Sequence, residues 1–442
     1  MKHLNKLYIY LWIFLVWIIL FLTLFIRSHK NSYYTNIWFT NFDTDLLNFV
    51  QDTQWDNNFM VSPISFKATL AMLTMWANWD TQKKLLKSMW YDDLQNYENW
   101  LSDIKSITET KNNYFKEADK ENEEYNKKLQ EQENRKKNNS NATWTWGNRD
   151  PYMFTMPPSK TAWNSFSILN SIRHNSDKIW AFTENYKKSI KDWWRFFFDV
   201  PWNELDTQIN NRVNENTKWQ IPSIYSQKKT NIDVILVNTV YLKSSRRSSF
   251  DKHSTRPWNF TTIDWKSVKK DMMHDSGKYW YYEDNTCQIL QIWLQWWFSV
   301  AFVLWNNSNI MKKINNTRSQ DVIVTLPKFE IDTNLDQKEL IQYLKNKWLE
   351  NIFNQNIWWD FSNMMEYWKL HISDIIQKTK LKIDEDWLEA SAATSFDGVM
   401  MGIEKRPKYK IFTADKPFSF YIYTNKEEDI EPQLLFYGQY VK

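Results

Sequence analysis

The chain has 442 residues, 43% of them hydrophobic, with 56 Lys and Arg against 52 Asp and Glu. That length could hold two or three average domains and the apolar fraction suffices for a sizeable core, while a net charge of +4 gives no basic excess of the kind that marks nucleic-acid binding. The single cysteine, Cys287, excludes an internal disulfide and carries no Cys/His signature, and the six His lack metal-ligand spacing. No metal, cofactor or nucleic-acid partner is expected.

Read from the N-terminus, Leu7 to Ile26 is an unbroken apolar run with one Thr, preceded by Lys2 and Lys6. A run of this length can span a bilayer. Arg27-Ser28-His29-Lys30 offers no small-x-small cleavage site, so residues 1–30 are expected to be an uncleaved signal anchor, with a cleaved signal peptide as the alternative. Charge on the two flanks is nearly balanced and barely orients the segment. Ser28 to Trp38 would be a short tether.

Phe42 to Gln51 reads as an amphipathic helix, Pro63 to Met75 as a buried helix, and Thr81 to Met89 as another, with Trp90 at its end. Asn112 to Asn139 mixes Lys, Glu, Asn and Gln, and Asn138 to Asp150 turns Asn/Ser/Thr/Trp-rich. Both pieces read as a solvated insert, partly helical or disordered. Phe166 to Ser171 and Ile232 to Lys243 read as sheet strands, Asp206 to Asn216 as a helix, and Lys266 to Met273 and Trp280 to Val303 as strands and hairpins. Leu335 to Lys347 reads as a helix, and Phe418 to Tyr423 and Leu434 to Val441 as closing strands. A mixed α/β body in one domain is the simplest fit.

After the alternating strand Leu381-Lys382-Ile383-Asp384 comes a run of small side chains, ending in Ala390-Ser391-Ala392-Ala393-Thr394. Ordinary loops use Gly, Pro, Asn and Asp for their turns. Small uncharged side chains suit a segment that slides between two strands, where charges would be buried unpaired. A mobile Ala/Ser linker fits these residues equally well.

The flanks separate the two readings. Leu370-His371-Ile372-Ser373-Asp374-Ile375-Ile376-Gln377-Lys378 precedes the run, and Ala414-Asp415-Lys416-Pro417-Phe418-Ser419-Phe420 and Leu435-Phe436-Tyr437-Gly438 follow it. Upstream stand Asn58 to Ser65, with Ser62-Pro63-Ile64-Ser65, then Val237 to Lys243, Met272-Met273, Ser276-Gly277, Tyr281 and Leu326-Pro327-Lys328-Phe329. In this order the chain resembles the serpins, serine and cysteine protease inhibitors, from about Phe39 to Val441, with a lapse between about Lys111 and Ser165. The resemblance implies a mixed α+β serpin fold over residues 31–442, with a large central β-sheet, further sheets and about eight or nine helices. It also implies an insert at about 111–165 and an exposed reactive loop at about 385–410.

It further implies an inhibitor rather than an enzyme, with a serine or cysteine protease as its target, a monomer, and a body outside the cytoplasm, anchored or secreted. The hinge would be Glu385, Asp386, Trp387, Leu388, Glu389, Ala390, Ser391, Ala392, Ala393 and Thr394. Seventeen residues counted inclusively from Glu385 reach Met401, which puts the expected reactive bond at Met401-Gly402, with Val399, Met400 and Arg406, the last followed by Pro407, as alternatives. Ser62, Ser65, Asn238 and Gln377 would form the polar cluster beneath the sheet that must open, with Gln377 where the family has His. Leu388 departs from the usual Thr or Ser, which keeps a non-inhibitory serpin, a binding or chaperone module, as the second reading.

The composition holds one more anomaly: 28 Trp and only 5 Gly. Ordinary usage of about 7% Gly would give roughly 31 here. Trp76, Trp79, Trp219 and Trp387 stand where serpins read Gly, and Trp348 stands at a predicted helix end that favours Gly. The expectation is that many of these Trp are Gly in the living protein, since some bacterial lineages read UGA as glycine. The alternative is a chain truly rich in Trp for sugar or interface binding.

Overall fold

The computed structural model describes residues 40–138, 165–175, 182–194, 196–200, 204–216, 221, 223, 234–243, 250–294, 298–304, 310–335, 337–353, 361–365, 372–385, 408–425 and 431–442. The N-terminal apolar run lies outside them. Among the described residues no helix is long and apolar enough to cross a membrane.

Helix α1 (Asn41–Thr53) starts at a reciprocal cap. The Asp43 amide donates to the Thr40 hydroxyl at 3.2 Å, and the Thr40 amide donates to the Asp43 carboxylate at 2.9 Å. Its Phe42, Leu46, Leu47 and Val50 line one helical face and are buried. Strand β1 (Phe59–Val61) leads into α2 (Pro63–Thr74), where Pro63 takes the first helical position, which needs no N–H donor. All twelve residues of α2 are buried. Lys67 among them lies 3.9 Å from Asp43 and 4.2 Å above the Trp100 ring. Burial holds its pKa below the ordinary lysine value, although Asp43 pulls the other way.

Helix α3 (Trp79–Ser88) is followed by α4 (Leu94–Asn138), a single helix of 45 residues. Of the two options for the insert, helical or disordered, the stretch from Asn112 to Asn138 takes the helical one. Tyr97, Leu101, Ile104 and Ile107 recur at helical spacing and bury the first part of α4. From Asn112 onward the helix carries few apolar residues, and its last 27 residues span about 40 Å at 1.5 Å each.

The rest of the chain alternates strands and short helices. In order come β2 (Ser165–Asn175), α5 (Glu184–Trp194), β3 (Phe196–Val200), α6 (Leu205–Asn216), β4 (Val234–Lys243), β5 (Arg256–Thr261) and β6 (Ser267–Glu283). Then follow β7 (Gln288–Trp293), β8 (Phe298–Leu304), α7 (Ile310–Asn315), β9 (Arg318–Pro327) and β10 (Phe329–Leu335). After β10 a helical stretch begins at Gln337, two residues past the predicted start, because Leu335 still pairs with Gln377 in the sheet. Last come β11 (Ile372–Ile383), β12 (Lys410–Thr413), β13 (Phe418–Thr424) and β14 (Leu434–Tyr440).

Two sheets carry the fold. One has nine strands in the order β1-β14-β13-β8-β7-β6-β9-β12, with β5 on β6. The other has five, in the order β10-β11-β4-β2-β3. One apolar cluster joins the sheets, with Val240, Leu242, Phe329 and Leu381 against Met273, Phe302, Phe418 and Phe420. A second packs α1, α2 and α3 over Leu236, Ile172 and Ile375 of the smaller sheet. Helix α2 touches β14, β4 and β2 and so lies between both layers. Burial on all sides explains why its sequence shows almost no amphipathic stripe.

Candidate functional site

The region that the sequence singles out begins at the end of β11. This strand alternates around Ile375, Ile376, Leu381 and Ile383, all buried. It pairs antiparallel with β10, and Lys380 meets Glu330 at 2.9 Å across that pair. Two residues beyond its end, Glu385 is buried. The Lys328 ammonium lies 2.8 Å from its carboxylate, and the Thr255 hydroxyl donates to the same group. Burial pushes the Glu385 carboxyl up, but the Lys328 and Thr255 hydrogen bonds outweigh it and hold the group below its ordinary pKa. Lys328 sits between β9 and β10, so this contact ties the end of β11 to the junction of the two sheets.

On its other side β11 pairs with β4. The two strands run parallel, with Ile372 opposite Val234 and Lys380 opposite Tyr241. Gln377 is opposite Asn238 at the centre of this pair. Both side chains point at the start of α2. The Gln377 carbonyl accepts from the Ser62 amide at 2.9 Å. Its NH2 donates to the Ser62 carbonyl at 3.0 Å and to the Asn238 side-chain carbonyl at 2.7 Å. The Asn238 NH2 donates to the Ser65 hydroxyl, to the Ser65 carbonyl at 3.3 Å, and to the Asn170 side-chain carbonyl on β2. Ser62, Ser65, Asn170, Asn238 and Gln377 are all buried. Unpaired, such groups would each cost about 1–3 kcal/mol, so the bonds among them hold α2 against three strands.

The structure thus brings Ser62, Ser65, Asn238 and Gln377 together. Ser62 takes part through its backbone, while its hydroxyl finds no partner. Two members were missed in the sequence. Asn170 bridges Asn238 and Thr69, and the Thr69 hydroxyl donates to it at 2.8 Å. Thr69 lies one helical turn past Ser65, and Asn170 interrupts an apolar strand; both signals were readable. Lys328 and Thr255, the partners of Glu385, were also missed, because nothing local in sequence links positions 57 or more residues apart. Asp386, Trp387, Leu388, Glu389, Ala390, Ser391, Ala392, Ala393, Thr394, Met401 and Gly402 lie outside the described residues.

Trp76 is half-buried against Tyr186, and Trp79 is almost fully exposed at the start of α3. Neither has a positive φ. Trp348 lies inside the helical run Lys345–Leu349 rather than just past a helix end, because that run extends into the turn Glu350–Phe353. The left-handed argument for Gly therefore fails at these three positions.

Two packed sheets, a parallel pair at the centre of one, and a strand end tied by Glu385 to the junction of the sheets make a mixed α+β protein of serpin architecture. The family model "Serpin (serine protease inhibitor)" matches residues 39–442, and the chain belongs to this family. The family is described as one of serine protease inhibitors, which are not themselves enzymes. Leukocyte elastase inhibitor of Xenopus laevis is 24% identical over 428 residues, covering 91% of this chain and 97% of the relative. Serpin B11 of Homo sapiens is 27% identical over 285 residues, 58% of this chain and 70% of the relative. Among solved structures, human thyroxine-binding globulin superposes with a TM-score of 0.68 at 19% identity, covering 91% of this chain and 96% of that one. Serpin48 of the insect Tenebrio molitor gives 0.63 at 22% identity, with 91% and 96% covered. At these identities the solved structures speak for the fold alone.

Proposed function

We propose that the protein is an inhibitory serpin that traps its target by inserting its cleaved loop between β11 and β4. The observation that carries this reading is the direct parallel pairing of those two strands at the centre of the smaller sheet. Parallel pairs are slightly less stable per residue than antiparallel ones. Strand β11 ends at Ile383, and the next strand among the described residues, β12, begins at Lys410. A segment that folds back from β11 would run antiparallel to both β11 and β4. One parallel ladder would be exchanged for two antiparallel ones, a gain of about ten hydrogen bonds at roughly 1 kcal/mol each.

The loop offers the Met401-Gly402 bond as bait. A protease nucleophile attacks the Met401 carbonyl and forms an acyl-enzyme. Insertion of about 14 residues at 3.3 Å each then carries the protease on the order of 45 Å before water clears the ester. Met401 is unbranched and fits several apolar pockets, so the target class is a chymotrypsin-, elastase- or subtilisin-like serine protease, or a cysteine protease of similar preference. Residues 31–442 form one domain that acts as a monomer. Residues 1–30 anchor it to a membrane or direct its secretion, which places the inhibitor outside the cytoplasm.

The test is incubation with such proteases, followed by a denaturing gel. A band that resists denaturation, and its loss in Ala390→Arg with the loop still cut, is the expected result. A buried arginine would stall insertion and turn inhibitor into substrate. An unchanged complex yield in Ala390→Arg would sink the insertion step. Leu388, where inhibitors carry Thr or Ser, favours the second reading, a binding or chaperone module. Cleaved and intact protein that melt together would establish that one. Under the inhibitory reading cleavage raises the melting temperature by tens of degrees. The fragment released on cleavage should begin at Gly402; one beginning at Pro407 would move the bait to Arg406 and the target to trypsin-like enzymes.

A further inference from the structure

The backbone turns left-handed at two non-glycine positions among the described residues, and both are Trp: Trp90 at φ 64° and Trp265 at φ 63°. Trp supplies 28 of 442 residues, so its taking both places is not what chance composition gives. A bulky side chain at φ > 0 is a genuine outlier, because its Cβ crowds the following carbonyl.

Each position has a local geometry that calls for glycine. Helix α3 ends with the Tyr91 amide donating to the Leu86 carbonyl at 2.9 Å and the Trp90 amide to Lys87 at 3.1 Å. This 6→1 and 5→2 pair is the Schellman ending, with Trp90 at C′, where glycine is the usual residue. Leu86 is buried in the apolar cluster against which Tyr91 packs. At the second position β5 and β6 are joined by a tight turn. The Trp265 amide donates to the Thr262 carbonyl at 2.9 Å, and the Thr262 amide to the Lys266 carbonyl at 2.9 Å. This is a three-residue hairpin loop with its last residue left-handed, the place of the bulge glycine.

Neither indole is buried, and the one ring contact among the described residues is the Lys347 ammonium 5.9 Å from the Trp90 ring centroid. Trp265 is 88% exposed. Trp90 is 56% exposed, and its ring N–H donates to Asp45 at 3.1 Å, a carboxylate that Lys347 already neutralises.

We infer that residues 90 and 265 are glycine in the protein as its own cells make it, a codon rendered here as Trp being read there as Gly. The inference is independent of the inhibitory mechanism, because both positions lie outside the loop and the polar cluster. It replaces a pattern of composition and family order with two sites where the backbone itself selects the residue.

Mass spectrometry of peptides spanning residues 90 and 265, from protein isolated from its native cells, decides it. Glycine at both positions is the expected result, and tryptophan at either overturns the inference. Chains made with Trp, Ala or Gly at both positions test the physical ground. Trp90→Gly with Trp265→Gly should melt above the Trp chain by roughly 2–4 °C, and above Trp90→Ala with Trp265→Ala, which removes the indoles but keeps each Cβ. An Ala form that melts as high as the Gly form would remove the left-handed requirement and with it the argument.

Discussion

The two sheets hold their centres together by different means. In the larger sheet β8, β13 and β14 are buried from end to end, and β13 pairs antiparallel with both neighbours. Phe302, Phe418, Phe420 and Phe329 meet there in ring contacts of 5.7–6.0 Å. In the smaller sheet the central pair is parallel, and Asn238 and Gln377 stand opposite each other in its middle. Apolar packing is non-directional and resists any separation, whereas a hydrogen-bonded cluster can exchange one set of partners for another. The proposed insertion would exploit this difference, since the β4–β11 seam is the one held by polar partners that can be exchanged.

Substitutions can break that contrast, and the largest effects belong to the apolar sheet. A Cβ on Gly438 would collide with the Phe420 ring and come 2.6 Å from the Phe59 carbonyl oxygen. The backbone oxygen cannot move aside, so Gly438→Ala should cost about 3 kcal/mol or prevent folding. Phe420→Ala should cost about 3–5 kcal/mol through the cavity it leaves. Denaturant midpoints measure both, and losses under 1 kcal/mol would contradict the packing described.

At the seam, Asn238→Ala would leave Ser65, Asn170 and Gln377 each short of a partner. A loss of about 1–3 kcal/mol is expected. A double-mutant cycle with Gln377→Ala should show non-additivity, since the two side chains bond at 2.7 Å. Strict additivity would show that the cluster does not act as a unit.

The Glu385–Lys328 tie should contribute about 1 kcal/mol or less, because Lys328 is partly exposed. The Glu385 carboxyl is held below its ordinary value, so its share of stability is fully present above about pH 4.3 and lost as pH falls through the folded value. Wild type and Glu385→Gln should therefore differ at neutral pH and converge in acid. Curves that stay parallel down to pH 2 would place the stabilisation elsewhere. Smallest of all, Lys278→Ala removes an exposed pair with Asp321 at 3.3 Å and should shift stability by under about 0.5 kcal/mol.

The central strands and the first helices were readable because burial writes itself into periodicity. The β4 run Val234–Lys243 is apolar on both faces apart from its polar middle, as a covered strand must be. The long arm of α4 lacks an apolar stripe, so its sequence leaves helix and disorder both open. Its charges still sit at helical spacing, with Glu123 four residues before Lys127 and Glu124 four before Lys128. Such pairs support a helix that buries little. The first turn of Trp-for-Gly reasoning was readable in composition, but Trp90 and Trp265 emerged only from φ, because a left-handed residue leaves no periodic trace.

By itself the sequence determined the family order of motifs, the elements that flank the loop, and four of the residues in the buried cluster. These follow from local rules: alternation, caps and residue type. Only the tertiary structure decided that β11 and β4 pair directly and in parallel, that Asn170 and Thr69 complete the cluster, and that Lys328 and Thr255 hold Glu385. Those contacts join positions 57 to 139 residues apart. Their energy depends on which buried polar groups meet, and that is settled when the sheets pack, not by any window of the chain.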